Sequence, residues 1–154
     1  MPSHDYHDVA VTRPFVIKSE DLNHHQTLYG GRCVEWAVQT AYITAANCFD
    51  DVRRIVFMSI HSLSVRAPAR LGEIVQFTGS VDYVGEAIIG IRVDGRKMHP
   101  KDDPRLVATG TFLFCTVDEK GRAVPHGLPE LASKSASAED RWKKAAEDAT
   151  LSLR

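Results

Sequence analysis

The sequence predicts an α+β fold in which a curved antiparallel sheet of about five to six strands wraps around one long central helix. Three observations lead there. The apolar pattern is helical over one early stretch and then takes a period of two for most of the remaining chain. The strand candidates succeed one another through short turns, which favours antiparallel pairing. The apolar face of the helix is too wide for a flat sheet to cover, so the sheet has to curl. At 154 residues the chain suits one such domain, 1–131, followed by a polar linker and an exposed C-terminal helix, 132–154.

Residues 9–17 (VAVTRPFVI) read as the first strand, and Pro14, which has no N–H to donate, places it at a sheet edge or a bulge. After a loop over 18–29, residues 30–47 (GGRCVEWAVQTAYITAAN) read as the helix. At about 100° per residue, Val34, Ala37, Val38, Ala41 and Ala45 form one stripe; Arg32, Glu35 and Gln39 share its polar flank, and Thr40, Thr44 and Asn47 lie further round. Residues 56–65 (VFMSIHSLSV) alternate with a phase slip near His61 and Ser62, as a bulge would produce. Residues 75–83 (VQFTGSVDY) set Val75, Phe77, Val81 and Tyr83 on one face and Gln76, Thr78, Ser80 and Asp82 on the other. A turn at Gly85-Glu86 leads to 87–93 (AIIGIRV), and the polar loop MHPKDDP leads to 106–117 (LVATGTFLFCTV), whose end is apolar on both faces. In the tail, Glu139/Lys143 and Asp140/Lys144 stand at i,i+4 spacing, as in an exposed helix of marginal stability.

Composition narrows the function. Nineteen Lys and Arg against 20 Asp and Glu create no global field for nucleic acid or an anionic membrane. Cys33, Cys48 and Cys115 are odd in number, far apart and set in apolar runs, as expected of reduced thiols in a cytoplasmic protein. The start, MPSHDYHD, has neither the basic nor the apolar region of a signal peptide, and no run approaches the roughly 18 apolar residues of a membrane span.

The chemistry-bearing residues crowd into one stretch, NHHQTLYGGRCVEWAVQ, residues 23–39. Continued to TAYITAA, it resembles the signature of the hotdog-fold acyl-CoA thioesterases: an Asn, a step into Gly-Gly, and a helix with Trp and Ala-rich turns. VRAPARLGE (65–73), Tyr83-Val-Gly85 and GTFLFCTVDEKGRAVP (110–125) resemble further segments of that family in the same order, over roughly residues 9–131. The resemblance implies a homodimer formed through the sheets and assembled into tetramers or hexamers. It also implies active sites at the dimer interface, a coenzyme A thioester as substrate and no further cofactor.

Thioester hydrolysis needs donors for a carbonyl oxygen that gains negative charge, and an activated water. Tyr29-Gly30-Gly31 supplies a helix N-terminus, where N–H groups and the helix dipole favour such charge; the Gly31 N–H is the candidate donor, and Tyr29 and Gly30 are candidate substrate contacts. The bland reading of the two glycines is that they let the loop pass into the helix. Asn23 matches the family's active-site Asn, although a lone loop Asn also serves as a turn residue. His25, and less so His24, carries an imidazole of the type that serves as a general base, but surface histidines are common in loops. The departure from the family lies at Val38, seven residues after Gly31, where an Asp or Glu is expected. Glu35, one turn earlier, is the candidate replacement if burial raises its pKa; otherwise it forms a polar seam with Arg32 and Gln39. Gln39 could orient water only by hydrogen bonds. Glu73 reads as a turn residue, and Arg66, Arg70, Arg92, Arg96 and Lys97 are candidates for the coenzyme A phosphates.

The leading expectation is therefore an acyl-CoA thioesterase. The alternative is a binding or sensing protein that kept the fold and lost the acid. A hydratase or dehydratase using a His base has weaker support, as does a metal site from His4, His7, His24 and His25, so no metal is expected.

Overall fold

A computed structural model of the chain describes residues 9–128, with Lys143 and Lys144. Lys143 and Lys144 are helical and exposed, as the expected tail helix would have them; the rest of that helix and the 131/132 boundary lie outside the described residues. The described residues form five strands: β1 (Ala10–Val16), β2 (Ile55–Val65), β3 (Ile74–Val84), β4 (Ile88–Lys97) and β5 (Leu106–Thr116). The helix α1 (Gly30–Ala46) lies between β1 and β2 in the chain. The sheet order is β1-β3-β4-β5-β2, antiparallel throughout. Pro14 falls in β1, an edge strand, as its missing N–H requires.

The sheet curls until α1 touches all five strands. Its core is built from Phe77, Ile91, Val93, Phe112 and Phe114 under Trp36, which stacks on Phe15 at 4.3 Å and 11°. The buried side of α1 differs from the expected stripe. Cys33, Trp36, Ala37, Thr40, Ala41, Thr44 and Ala45 are buried, whereas Val34 and Val38 are half-buried flanks. The two threonines enter the core because each hydroxyl is satisfied within the helix: Thr40 Oγ1 donates to Trp36 O and Thr44 Oγ1 to Thr40 O, both at 2.7 Å. That leaves each side chain's methyl free to pack.

Gly79 in β3 makes room for this arrangement. A Cβ there would collide with Thr44 Oγ1 and lie 3.3 Å from Thr40 O. Gly79→Ala is accordingly expected to lower the unfolding free energy by about 1–3 kcal/mol, because helix and strand must separate; equilibrium urea denaturation measures this, and an unchanged midpoint would exclude the tight contact.

Bulges decide which side chains face the helix. β2 shifts register between Phe57 and Ser59 and again between Ile60 and Ser62, so the slip expected near His61 is present and a second occurs at Met58. β3 shifts between Val81 and Tyr83. Its clean alternation therefore ends there: Val84 enters the core, and Tyr83 joins a separate apolar cluster with Ile88, Leu113, Cys115 and Val117. The end of β5 is apolar on both faces because Phe112 and Phe114 face α1 while Leu113 and Cys115 face this second cluster.

After β5 the chain returns along the sheet, with Val124 N–H donating to Thr116 O at 2.9 Å and His126 N–H to Glu86 O at 3.1 Å. The His126 ring accepts the Leu128 N–H at Nδ1 (3.1 Å) and stands 3.4 Å from Ile88 O at Nε2, a pairing that suits the neutral ring. Burial holds its pKa below the ordinary histidine value. A group with a depressed folded pKa that must stay neutral contributes its stability above the unfolded pKa, near 6.5, and loses it as pH falls through the lower folded value. The stability difference between wild type and His126→Gln is expected to be larger at pH 7.5 than at pH 5; equal differences at both would remove the ring from this role.

Candidate active site

The loop before α1 is closed by Asn23. Its Oδ1 accepts the N–H groups of His25 (2.9 Å) and Thr27 (3.2 Å), which fixes the amide orientation, and its Nδ2 donates to Thr27 Oγ1 at 3.1 Å. One amide N–H of Asn23 is left without a partner among the described residues. Backbone bonds from Asn23 N–H to Thr27 O (2.8 Å) and from Gln26 N–H to Asn23 O (3.0 Å) complete the turn, with Gln26 at φ 61° at its tip. The turn is then tied to the segment after β2 by Leu28 N–H to Ala69 O at 2.7 Å.

Between this turn, the first turn of α1 and the segment after β2 lies a cavity of about 400 Å³, lined in part by Asn23, Thr27, Gly30 and Arg66. The N-cap residue of α1, Tyr29, makes no side-chain capping bond, so the first-turn N–H groups remain for solvent or a ligand. The two glycines differ in use. A Cβ on Gly30 would meet open space, so glycine there keeps the cavity mouth clear. A Cβ on Gly31 would strike the Tyr29 ring, which folds back over it while remaining 57% exposed. Asn23 and Gly30 line the cavity, whereas Gly31 and Tyr29 stand beside it.

Glu35 lies on the outer flank of α1. Its carboxylate pairs at 3.0 Å with Arg32, which also reaches the buried Asp21 at 3.1 Å. The Glu35 side chain is 50% exposed, so in a single chain it is not enclosed as the expected role would require, and it does not line the cavity. Val38 is half-buried against the core, and Gln39 accepts a bond from Arg13 at 3.3 Å. Both lie two turns beyond Gly30, about 12 Å along the helix axis. His25 is exposed with its ring against His24 at 4.0 Å, away from the cavity lining. Among the described residues no three His, Cys, Asp or Glu side chains are grouped to hold a metal ion, and no helix is long and apolar enough to cross a membrane.

No family model matches the sequence. Over 107 residues the chain is 31% identical to the uncharacterized acyl-CoA thioester hydrolase YkhA of Bacillus subtilis, an alignment that takes in 68% of this chain and 60% of the relative. The chain thus spans about 60% of the length of the curated relative it matches. Among solved structures, the acyl-CoA hydrolase of Staphylococcus aureus in complex with butyryl coenzyme A, coenzyme A and coenzyme A disulfide superposes with a TM-score of 0.70 at 22% identity. It covers 90% of this chain and 80% of that one. An apo-hexameric acyl-CoA thioesterase gives 0.73 at 19% identity, covering 94% and 93%. The chain has the hotdog fold of the acyl-CoA hydrolases.

Within this hotdog domain the candidate phosphate ligands are dispersed. Arg66 alone of the five lines the Asn23 cavity. Arg96 and Lys97 line a second cavity, of about 500 Å³, on the outer sheet face. Arg92 pairs with Asp94 at 3.5 Å and Lys97 with Glu73 at 3.0 Å. Glu73 is the turn residue expected: burial alone would raise its pKa, but the Arg70 N–H and the Lys97 ammonium outweigh this and hold it below the usual carboxylate value. It follows Gly72, whose φ of 82° favours glycine. Thr27 and Cys33 line the hotdog cavity and were not among the sequence candidates. Thr27 could have been found from its place four residues after Asn23, at the closing end of a polar turn. Cys33 carried no signal beyond being apolar.

Proposed function

We propose that the chain hydrolyses acyl-CoA thioesters to a carboxylic acid and free coenzyme A, with no cofactor. The observation that carries this reading is that Asn23 and the uncapped N-terminus of α1 open into the same cavity. The thioester carbonyl oxygen is held by the first-turn N–H groups at Gly30 and Gly31 and by the spare Asn23 amide N–H, where the negative charge of the tetrahedral intermediate develops. A water loses a proton to Glu35, the only carboxylate in α1, and attacks the carbonyl carbon; the C–S bond then breaks and the thiol leaves. Tyr29 and Gln39 border the path of the substrate, and His25 is the alternative base.

Glu35 stands outside the cavity of its own chain, so the reading places the complete site between two copies. Among the described residues β2 is an edge of the sheet, with Phe57, Ile60 and Val65 exposed, which suits a homodimer joined there. Assembly to a tetramer or hexamer follows the hexameric thioesterase of the same fold. A cytoplasmic location agrees with three buried, unpaired cysteines.

Free-thiol release is the test, measured with purified, folded protein across short, medium, long and aryl acyl-CoA substrates. No release above background from any of them overturns the proposal. A second reading, a binder of acyl-CoA without turnover, is favoured by Val38 at the position of the family's acid; tight binding together with absent thiol release would select it.

A further inference from the structure

The cavity beside Asn23 changes character with depth. Its mouth is mixed, with the polar Asn23, Thr27 and Arg66 beside the exposed Val65 and Pro68, whereas its inner wall is Leu28, Cys33, Ala69 and Val107, each no more than 9% exposed and all part of the core. None of these four side chains carries a nitrogen or oxygen, so the inner wall offers no side-chain hydrogen-bond partner stronger than the Cys33 thiol. Of the two arms of a coenzyme A thioester, the pantetheine arm carries amides that would be left unpaired against such a wall, at a cost of about 1–3 kcal/mol each. The acyl arm has no such groups.

We infer that this cavity is the acyl-chain pocket, that its occupant is an uncharged short- to medium-chain acyl group, and that Cys33 sets the length accepted. The inference rests on the thioester reading above. A volume of about 400 Å³ has room for on the order of ten heavy atoms, taking roughly 30 Å³ for each as for a liquid water. The thioester and the first atoms of pantetheine occupy the mouth, which leaves space for roughly four to eight acyl carbons. Cys33 lies on the first turn of α1, three residues beyond Gly30, and projects from the helix into the core side of the cavity. Burial pushes its thiol up to about 11, so it stays neutral and acts through its size and not as a nucleophile.

The experiment compares kcat/KM for acetyl-, butyryl-, octanoyl- and lauroyl-CoA in wild type, Cys33→Leu and Cys33→Ala, with folding checked by circular dichroism. The ratio of octanoyl to acetyl turnover is expected to fall at least about 10-fold in Cys33→Leu, as one or two methylenes in a hydrophobic pocket discriminate. Cys33→Ala is expected to raise the lauroyl to octanoyl ratio, and it keeps the test decisive if the larger residue prevents folding. Ratios that stay within about twofold of wild type in a folded variant overturn the pocket assignment while leaving hydrolysis intact. If wild type releases no thiol from any substrate, the hydrolytic reading fails separately. The same chain-length ratios are then read from the Kd values of alkyl-CoA thioethers, and Kd ratios insensitive to Cys33 overturn the pocket.

Discussion

If the chain hydrolyses thioesters as proposed, replacing Asn23 by Asp is expected to lower kcat by about 100- to 1,000-fold, the usual effect of removing one donor from an oxyanion site. The choice of Asp separates the two things the amide does. Its Oδ1 closes the loop by accepting from the His25 and Thr27 N–H groups, and a carboxylate oxygen retains those bonds. The Nδ2 donor is lost, and an anion stands where negative charge has to develop. Thermal stability is therefore expected to stay close to wild type while kcat collapses. Asn23→Ala removes both functions and is expected to lose activity and also loosen the loop. Should Asn23→Asp retain activity within about threefold, the side chain is a turn residue only and the carbonyl is held by the helix N-terminus alone.

Glu35→Gln is expected to reduce kcat by about 100- to 10,000-fold, the range associated with loss of a general base. The ion pair it gives up, with Arg32, is at the surface and contributes less than about 1 kcal/mol, so stability barely moves and a fall in activity cannot be ascribed to unfolding. The companion variant is Val38→Asp. It sets a carboxylate at a half-buried site on the margin of the core and is expected to cost about 1–3 kcal/mol of stability. In an enzyme that relies on Glu35 it adds nothing to kcat and restores part of the activity only in the Glu35→Gln background. If wild type binds acyl-CoA without turnover and Val38→Asp alone brings hydrolysis, the chain is a binder that lost its acid.

The two experiments probe the start and the middle of one helix. Asn23 and Gly30 belong to a cavity at the start of α1, while Val38 and Gln39 stand about 12 Å further along it. One chain does not bring these groups together, which is why the oligomeric state bears on catalysis. Disrupting the β2 edge with a charged residue at Ile60 offers an independent check of that dependence.

Much of this architecture was legible before any coordinates. One helix too apolar for a flat sheet implied a curled one, and Pro14 implied an edge; both follow from local chemistry that no neighbour can override. The slip at His61 was visible because a bulge shifts side-chain alternation by one. Thr40 and Thr44, which the sequence left outside the apolar stripe, are buried. Their hydroxyls satisfy themselves on the preceding turn, so polarity at the level of residue type did not predict exposure. The register shift at Asp82 hid in a pattern that looked regular, since Tyr83 is apolar enough to fit either face.

For the site, the sequence alone determined which residues carry the chemistry: an Asn, two Gly and a Glu in one short stretch, with Val38 where an acid was expected. Only the tertiary structure decided what each one faces. Folding brought the segment after β2 against the Asn23 turn and so created the cavity, assigned Gly30 to its mouth and Gly31 to the Tyr29 ring, and left Glu35 on the outer flank with Arg32. A residue's identity is set locally, but a cavity is made by segments distant in the chain, and their approach depends on a curl and a register that no short window of sequence contains.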